Sequence, residues 1–197
     1  WVDRGPTCGS SSAGRVIPHP ALEHSDTLFN WKLGAVYKVG SVVSLYANYA
    51  LSQQPPGGSN FALSSSASSA DNPRLDPQKA KTFEVGTKWA FLDDALAFNV
   101  ALFKTEVSNE INTQVLDDAG NPTQTGKKSV QGIEVSTVGR ITDNWSVSAG
   151  YSHLDTEVEE GANVAADGTR NLTYTPGDTF TGWTTYVLPF GLAVGGG

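Results

Sequence analysis

The chain has 197 residues, of which 39% are hydrophobic and only 17% charged, and its formal net charge is −7. This acidic balance argues against a nucleic-acid partner, because binding to phosphates needs a basic surface. Cys8 is the single cysteine, which excludes an internal disulfide and a cysteine-rich metal site.

The first 26 residues are rich in Gly, Ser and Pro and show no hydrophobic period, so they are predicted to form a loop. His19 and His24 lie in this segment. Two histidines without a neighbouring carboxylate cluster are more often solvated side chains than metal ligands, and the sequence predicts no metal site here.

Apolar and polar residues alternate through the next two segments, which predicts two β-strands. The first strand has Phe29, Trp31, Leu33, Ala35, Tyr37 and Val39 on one face, and the second has Val43, Leu45, Ala47, Tyr49 and Leu51. Gly40 and Ser41 form the turn between them. A polar segment dense in Pro, Gly and Ser then follows from Gln53 to Pro77 and is predicted to be a long loop.

The clearest hairpin of the chain follows this loop. Two alternating runs flank the short turn Leu92–Ala95, so each run is a strand with one apolar face. The apolar sets are Phe83, Val85, Thr87, Trp89 and Phe91 in the first run, and Leu96, Phe98, Val100 and Leu102 in the second.

Four further strands complete the predicted pattern. Strand five is expected near 128–140, strand six begins at Trp145, strand seven covers 180–188, and strand eight follows the turn at Pro189. A turn-rich link at 117–122 and a long loop at 155–176 separate them. Because the chain stops within strand eight, we expect it to be a piece of a longer protein.

Loop lengths indicate what kind of sheet these strands form. Short turns recur near residues 40, 93, 143 and 190, and the longer links lie between them. Short turns at one end and long loops at the other are typical of outer-membrane barrels. No run approaches eighteen consecutive apolar residues, which excludes a transmembrane helix but not a barrel, whose strands only alternate.

Aromatic residues fall at two distances from the short turns, as the two interfacial girdles of a membrane barrel would. The predicted turn-side set is Tyr37, Trp89, Phe91 and Trp145, and the loop-side set is Tyr49, Phe83, Phe103 and Phe180. Phe103 has the wrong parity relative to Phe98, so it faces the lumen unless a bulge intervenes. The opposite parity carries residues suited to a polar lumen: Lys32, Asn48, Glu84, Lys88, Asn99 and Glu134.

Several blocks resemble the barrel of TonB-dependent siderophore receptors. They are 33–38, 45–49, 54–56 and above all 75–89, LDPQKAKTFEVGTKW, and the loop 53–70 is most similar to catecholate-type receptors. The resemblance covers about residues 28–191, and nothing similar to residues 1–26 is recognised.

The resemblance implies an all-β fold: part of a 22-stranded, up-and-down transmembrane barrel in the bacterial outer membrane. Residues 1–26 would then be an extracellular loop, and residues 27–197 a partial barrel of about eight strands. The implied function is TonB-dependent uptake of a ferric siderophore, without a cofactor. The implied partners are the siderophore, outer-membrane lipid, and a TonB complex contacted through N-terminal parts that this segment lacks.

A ferric catecholate complex is anionic and aromatic, so arginine and aromatic side chains suit it. The candidate ligand-binding residues are Phe61, Arg74, Arg170 and Tyr174, all in predicted loops. The same residue types also occur at exposed loop positions that bind no ligand.

Two other readings compete with active transport. A passive outer-membrane pore or adhesin shares the alternation but lacks the 75–89 block, and a soluble β-sandwich binding module would cover the apolar face with a second sheet. An enzyme is not expected, because Ser152 and His153 are adjacent in a strand and point apart, so they cannot form a catalytic pair. Asp155, Glu157 and Glu159 share a parity that suits a cation site, but a solvated charge run is favoured over it.

Overall fold

Eight antiparallel strands form one sheet in which sequence order and spatial order coincide. The computed structural model describes residues 22–23, 25–58, 62–69, 71–161, 168–172 and 175–197. The strands are β1 Trp31–Val39, β2 Val43–Gln54, β3 Gln78–Phe91, β4 Leu96–Leu116, β5 Pro122–Thr142, β6 Trp145–Glu160, β7 Asp178–Val187 and β8 Ala193–Gly196. The sheet does not close on itself, as expected for part of a larger barrel.

The register places the predicted apolar positions on one face across the whole sheet. Ala35 pairs with Ala47, which pairs with Val85, and that row continues through Leu102 and Ile133. We call this side the apolar face. The polar face carries the opposite parity, where Asn48 pairs with Glu84 and Lys88 pairs with Asn99. The predicted division of polar and apolar positions is confirmed.

Within the residues that the structure describes, no second layer covers the apolar face. Among the described residues the only buried hydrophobic side chain is Val158, at 4% exposure. Phe98 and Val100 are partly exposed, and Leu102 is 52% exposed. A β-sandwich would bury these three side chains under its other sheet, so the soluble-sandwich reading is wrong. Within the described part of the chain, no helix has the length and hydropathy of a membrane span.

Aromatic side chains border the apolar face at both ends. On the loop side they are Trp31, Tyr49, Phe83, Tyr151 and Phe180, and on the turn side Tyr37, Trp89, Phe91, Trp145 and Tyr186. The rings of Trp31 and Tyr49 have centroids 5.4 Å apart. Phe103 does not belong to either border: it pairs with Glu84 on the polar face, and no register shift intervenes between Leu96 and Ser108.

The three middle strands are longer than the alternation predicts. β4 and β5 have 21 residues each, β5 begins six residues before Lys128, and β6 continues through the predicted loop start at Asp155 to Glu160. These extensions are mainly polar, and their few apolar residues, such as Val107, Ile111 and Val158, do not form a continuous apolar face. The hydrophobic period therefore ends while the backbone ladder continues. Register shifts mark the extension, the first at Asn109, whose φ is 64°.

The links between strands are short at one end of the sheet, as predicted, and two of the three links at the other end are long. Links of two to five residues join β1 to β2, β3 to β4, β5 to β6 and β7 to β8 at one end, the turn end. The opposite loop end has links 55–77, 117–121 and 161–177. The middle link has only five residues, because the extended β4 and β5 supply the projection that a loop would otherwise make.

Candidate ligand-binding loops

The candidate ligand-binding residues belong to two loops at the loop end of the sheet. Arg74 is in the link from β2 to β3, and Arg170 is in the link from β6 to β7. Phe61 and Tyr174 fall in the same two loops but lie outside the described residues, as do Cys8, His19 and His24. The structure therefore places both arginines at one end of the sheet.

The backbone around Arg74 is ordered by Asn72, a polar side chain that is only 7% exposed. The Asn72 amide donates to the carbonyl of Ser66 at 3.1 Å, and its oxygen accepts the backbone N–H of Arg74 at 2.9 Å. Both ends of the side chain are thus used within the loop. The Arg74 residue is exposed to solvent.

The same loop is fixed to the β4–β5 extension through Gln124. The side-chain oxygen of Gln124 accepts the N–H of Asp76 at 2.9 Å, and its amide donates to the carbonyls of Asp76 at 2.9 Å and Asn109 at 3.1 Å. Asn109 in turn donates to the carbonyl of Pro77 at 3.1 Å. We call these contacts the loop clasp. Sequence reasoning missed it, because residues 48 positions apart carry no local signal of contact.

Arg170 forms hydrogen bonds to the backbone of its own chain. Its Nε donates to the carbonyl of Val158 at 2.5 Å and its Nη2 to the carbonyl of Glu159, while its carbonyl accepts the N–H of Val158 at 2.6 Å. The returning arm of the loop is therefore held against the end of β6. A guanidinium has five N–H donors, and two of them serve the backbone here.

A groove of about 480 Å³ opens beneath the first loop, at the loop end of the polar face. Gln54, Gln78, Val107 and Lys128 line it. Lys79 also lines the groove. The Lys128 ammonium pairs with a Glu110 oxygen at 2.5 Å. Polar side chains facing a space of this size suit a hydrated ligand or a protein surface more than an apolar one.

The tip of the β4–β5 extension is closed by Asp117. Its carboxylate accepts the backbone N–H of Asn121 at 2.8 Å and that of Ala119 at 2.9 Å. These hydrogen bonds, the one from Asn121 foremost, stabilise the charged form and lower the pKa of Asp117. The sequence marked this link as a turn, and an aspartate that caps its own turn is the reason.

The other sequence candidates do not assemble into a site. Ser152 and His153 lie on opposite faces, and His153 Nδ1 instead lies 2.9 Å from Asp178. Glu159 pairs with Lys127. Across the described residues, no three His, Cys, Asp or Glu side chains are placed to hold a metal ion.

Comparison with known proteins shows which protein family this sheet belongs to. The family model described as "TonB dependent receptor-like, beta-barrel" matches residues 4–197. The chain belongs to the TonB-dependent receptor family. The match includes most of residues 1–26, so the expectation that the first segment resembles nothing known is wrong.

Two bacterial relatives of this receptor segment have solved structures. It is 41% identical over 99% of its length to the catecholate siderophore receptor Fiu of Escherichia coli K12, and superposes on the closed form of Fiu with a TM-score of 0.81. It is 34% identical to the probable TonB-dependent siderophore receptor PiuA of Acinetobacter baumannii over 91% of its length, and the PiuA structure gives a TM-score of 0.71. The chain spans 27% of the Fiu sequence and 25% of the PiuA sequence.

Family membership assigns the two faces of the receptor segment. The protein lies in the bacterial outer membrane, so the apolar face contacts lipid between its aromatic borders, and the polar face lines the barrel interior. The turn end is periplasmic and the loop end extracellular. The family consists of transport receptors.

Proposed function

We propose that this chain forms part of the wall and of the extracellular loops of a receptor that takes up ferric siderophores of the catecholate type. The observation that carries the proposal is the 41% identity to the catecholate siderophore receptor Fiu across 99% of the chain. The match covers 99% of the chain and therefore includes the two loops as well as the strands, and loops commonly carry the binding residues of a protein.

The loops offer the chemistry that such a ligand requires. A ferric catecholate is a polyanion with aromatic rings, which favours arginine through charge and cation–π contact and favours aromatic side chains through stacking. Phe61, Arg74, Arg170 and Tyr174 supply these groups. Arg74 is the strongest candidate because its side chain is exposed, whereas the Arg170 guanidinium already binds two backbone carbonyls.

Transport through the complete receptor would be driven by a TonB complex acting on parts outside this chain. The test is uptake of radioactive iron, supplied as a catecholate complex, by cells whose only catecholate receptor is the complete protein. We expect uptake that disappears when TonB is deleted. Uptake that persists without TonB, together with free passage of small sugars in liposome swelling, would establish the passive pore instead.

A further inference from the structure

An ion pair lies at the loop end of the polar face, where the groove opens beneath the first loop. The Lys128 ammonium is 2.5 Å from a carboxylate oxygen of Glu110, and the two side chains are 33% and 21% exposed. In the part of the chain that the structure describes, Glu110 is the only carboxylate within 4 Å of this ammonium. Lys128 lines the groove, so the cation of the pair faces the space that a ligand can enter.

The strand neighbours of Lys128 on the polar face are apolar. Lys128 pairs across the sheet with Val107 of β4 and with Val158 of β6, and Val158 is 4% exposed. The other lysine of the groove, Lys79, has the opposite parity in β3 and shares the face of Phe83. Lys128 is therefore the cation that the polar face presents to this groove.

The backbone of Glu110 is held in place from two sides. Gly126 stands opposite it, and a Cβ at that position would lie 2.6 Å from the Glu110 carbonyl oxygen, so the close approach of the two strands requires a glycine. The preceding residue, Asn109, belongs to the loop clasp. If Lys128 changes its partner, we expect the Glu110 side chain to move while its strand stays in place.

An anionic ligand in the groove competes with Glu110 for the Lys128 ammonium. A ferric tris-catecholate is trianionic, because three dianionic catecholates bind one Fe³⁺, and its oxygen atoms are strong acceptors for an ammonium donor. The amides and the hydroxyl that line the groove can donate further hydrogen bonds to it, from Ser52, Gln54 and Gln78. The Glu110 carboxylate repels the same ligand. A ligand with little negative charge gains too little from Lys128 to displace this carboxylate.

We propose that Lys128 is a further ligand-contacting residue of the receptor, and that Glu110 masks it until a strongly anionic iron complex displaces the carboxylate. The ion pair thereby selects ligands by their charge. This inference rests on the proposed function, because it requires a ferric catecholate as the ligand. It differs from a purely structural role of the pair in one respect: removing the charge of Glu110 improves ligand binding.

The test is a titration of the complete receptor with a hexadentate iron(III) tris-catecholate, followed by intrinsic tryptophan fluorescence. Glu110→Gln keeps the shape of the side chain and removes its charge, so it should lower the dissociation constant about fivefold, the scale of a partly exposed ion pair. Lys128→Gln should raise the dissociation constant by about the same factor. In the Lys128→Gln background the gain from Glu110→Gln should shrink, because no ammonium is left to release. High salt should reduce both effects.

The neighbouring ion pair supplies matched control variants. The Lys127 ammonium lies 2.5 Å from a Glu159 oxygen, and the register places Lys127 on the apolar face, outside the barrel. Glu159→Gln and Lys127→Gln make the same changes in net charge one residue away along the chain of β5. Each should change the dissociation constant less than about twofold, because salt screens charges on the far side of the wall.

Four outcomes would overturn the proposal. They are weaker binding by Glu110→Gln, an undiminished gain from Glu110→Gln in the Lys128→Gln background, equal shifts in the control pair, and a wild-type receptor that does not bind the complex. The last outcome would also refute the proposed function, whereas the first three leave that function intact. Tighter binding by Glu110→Gln cannot result from misfolding, so this variant separates ligand contact from stability.

Discussion

Two arginines of the extracellular loops show how one residue type acquires different roles. Arg74 has its backbone fixed by a nearly buried asparagine and its side chain in solvent. The guanidinium of Arg170 donates two hydrogen bonds to backbone carbonyls at the end of β6. The sequence alone could not distinguish these two roles, because both residues are single arginines in loops rich in turn-forming residues.

This difference leads to a prediction for ligand binding. Arg74→Ala in the complete receptor should raise the dissociation constant for a ferric catecholate about fivefold, since a charge-assisted contact at an exposed site contributes up to about 1 kcal/mol. The measurement is quenching of intrinsic tryptophan fluorescence on titration.

Arg140→Ala is the matched control, because it removes the same charge near the periplasmic turn where Arg140 N–H binds Ala95. It should leave ligand affinity unchanged. Equal weakening by both substitutions would show that net charge, and not the position of Arg74, determines affinity.

At the scale of strands, alternation was enough to predict which face each residue occupies wherever one face meets lipid. Alternation also predicted the face of Phe103, and the unbroken register of β3 and β4 places it on the polar face. The ends of β4, β5 and β6 could not be predicted from alternation, because these strands continue beyond the membrane, where their residues are mainly polar and neither face is continuously apolar. The loop clasp at Gln124 escaped prediction because it depends on contacts between distant segments.

The central row of the sheet provides a stability prediction. Val100 lies midway between the aromatic borders on the apolar face, so Val100→Arg should destabilise the receptor by about 2–4 kcal/mol, the cost of an arginine near the bilayer midplane. Urea unfolding in lipid vesicles measures it.

Ala101→Arg is the adjacent control on the polar face, where its partners are Gly86 and Glu134. We expect a change below about 1 kcal/mol, because the new charge meets water and an opposite charge. A similar loss from both substitutions would mean that the two faces meet similar surroundings.

At the scale of the whole molecule, the open sheet explains why the described part of the chain has almost no hydrophobic core of its own. Its apolar side chains contribute to stability only when lipid covers one face and the remaining strands complete the barrel. The chain matches about a quarter of its relatives' length and corresponds to a partial barrel. Its composition is moderate in hydrophobic residues and low in charge, because the sheet has one polar face in contact with water and one apolar face in contact with lipid.

The central claim is that these two faces have different solvents, and spin labels along β4 test it most directly. Single cysteines replace residues 96 to 103 in turn, in the complete receptor lacking Cys8 and reconstituted in bilayers. The account predicts that labels at even positions collide preferentially with oxygen, which concentrates in lipid, and labels at odd positions with a water-soluble nickel chelate. Equal accessibility at both parities, or preferential nickel contact at Phe98, Val100 and Leu102, would contradict it.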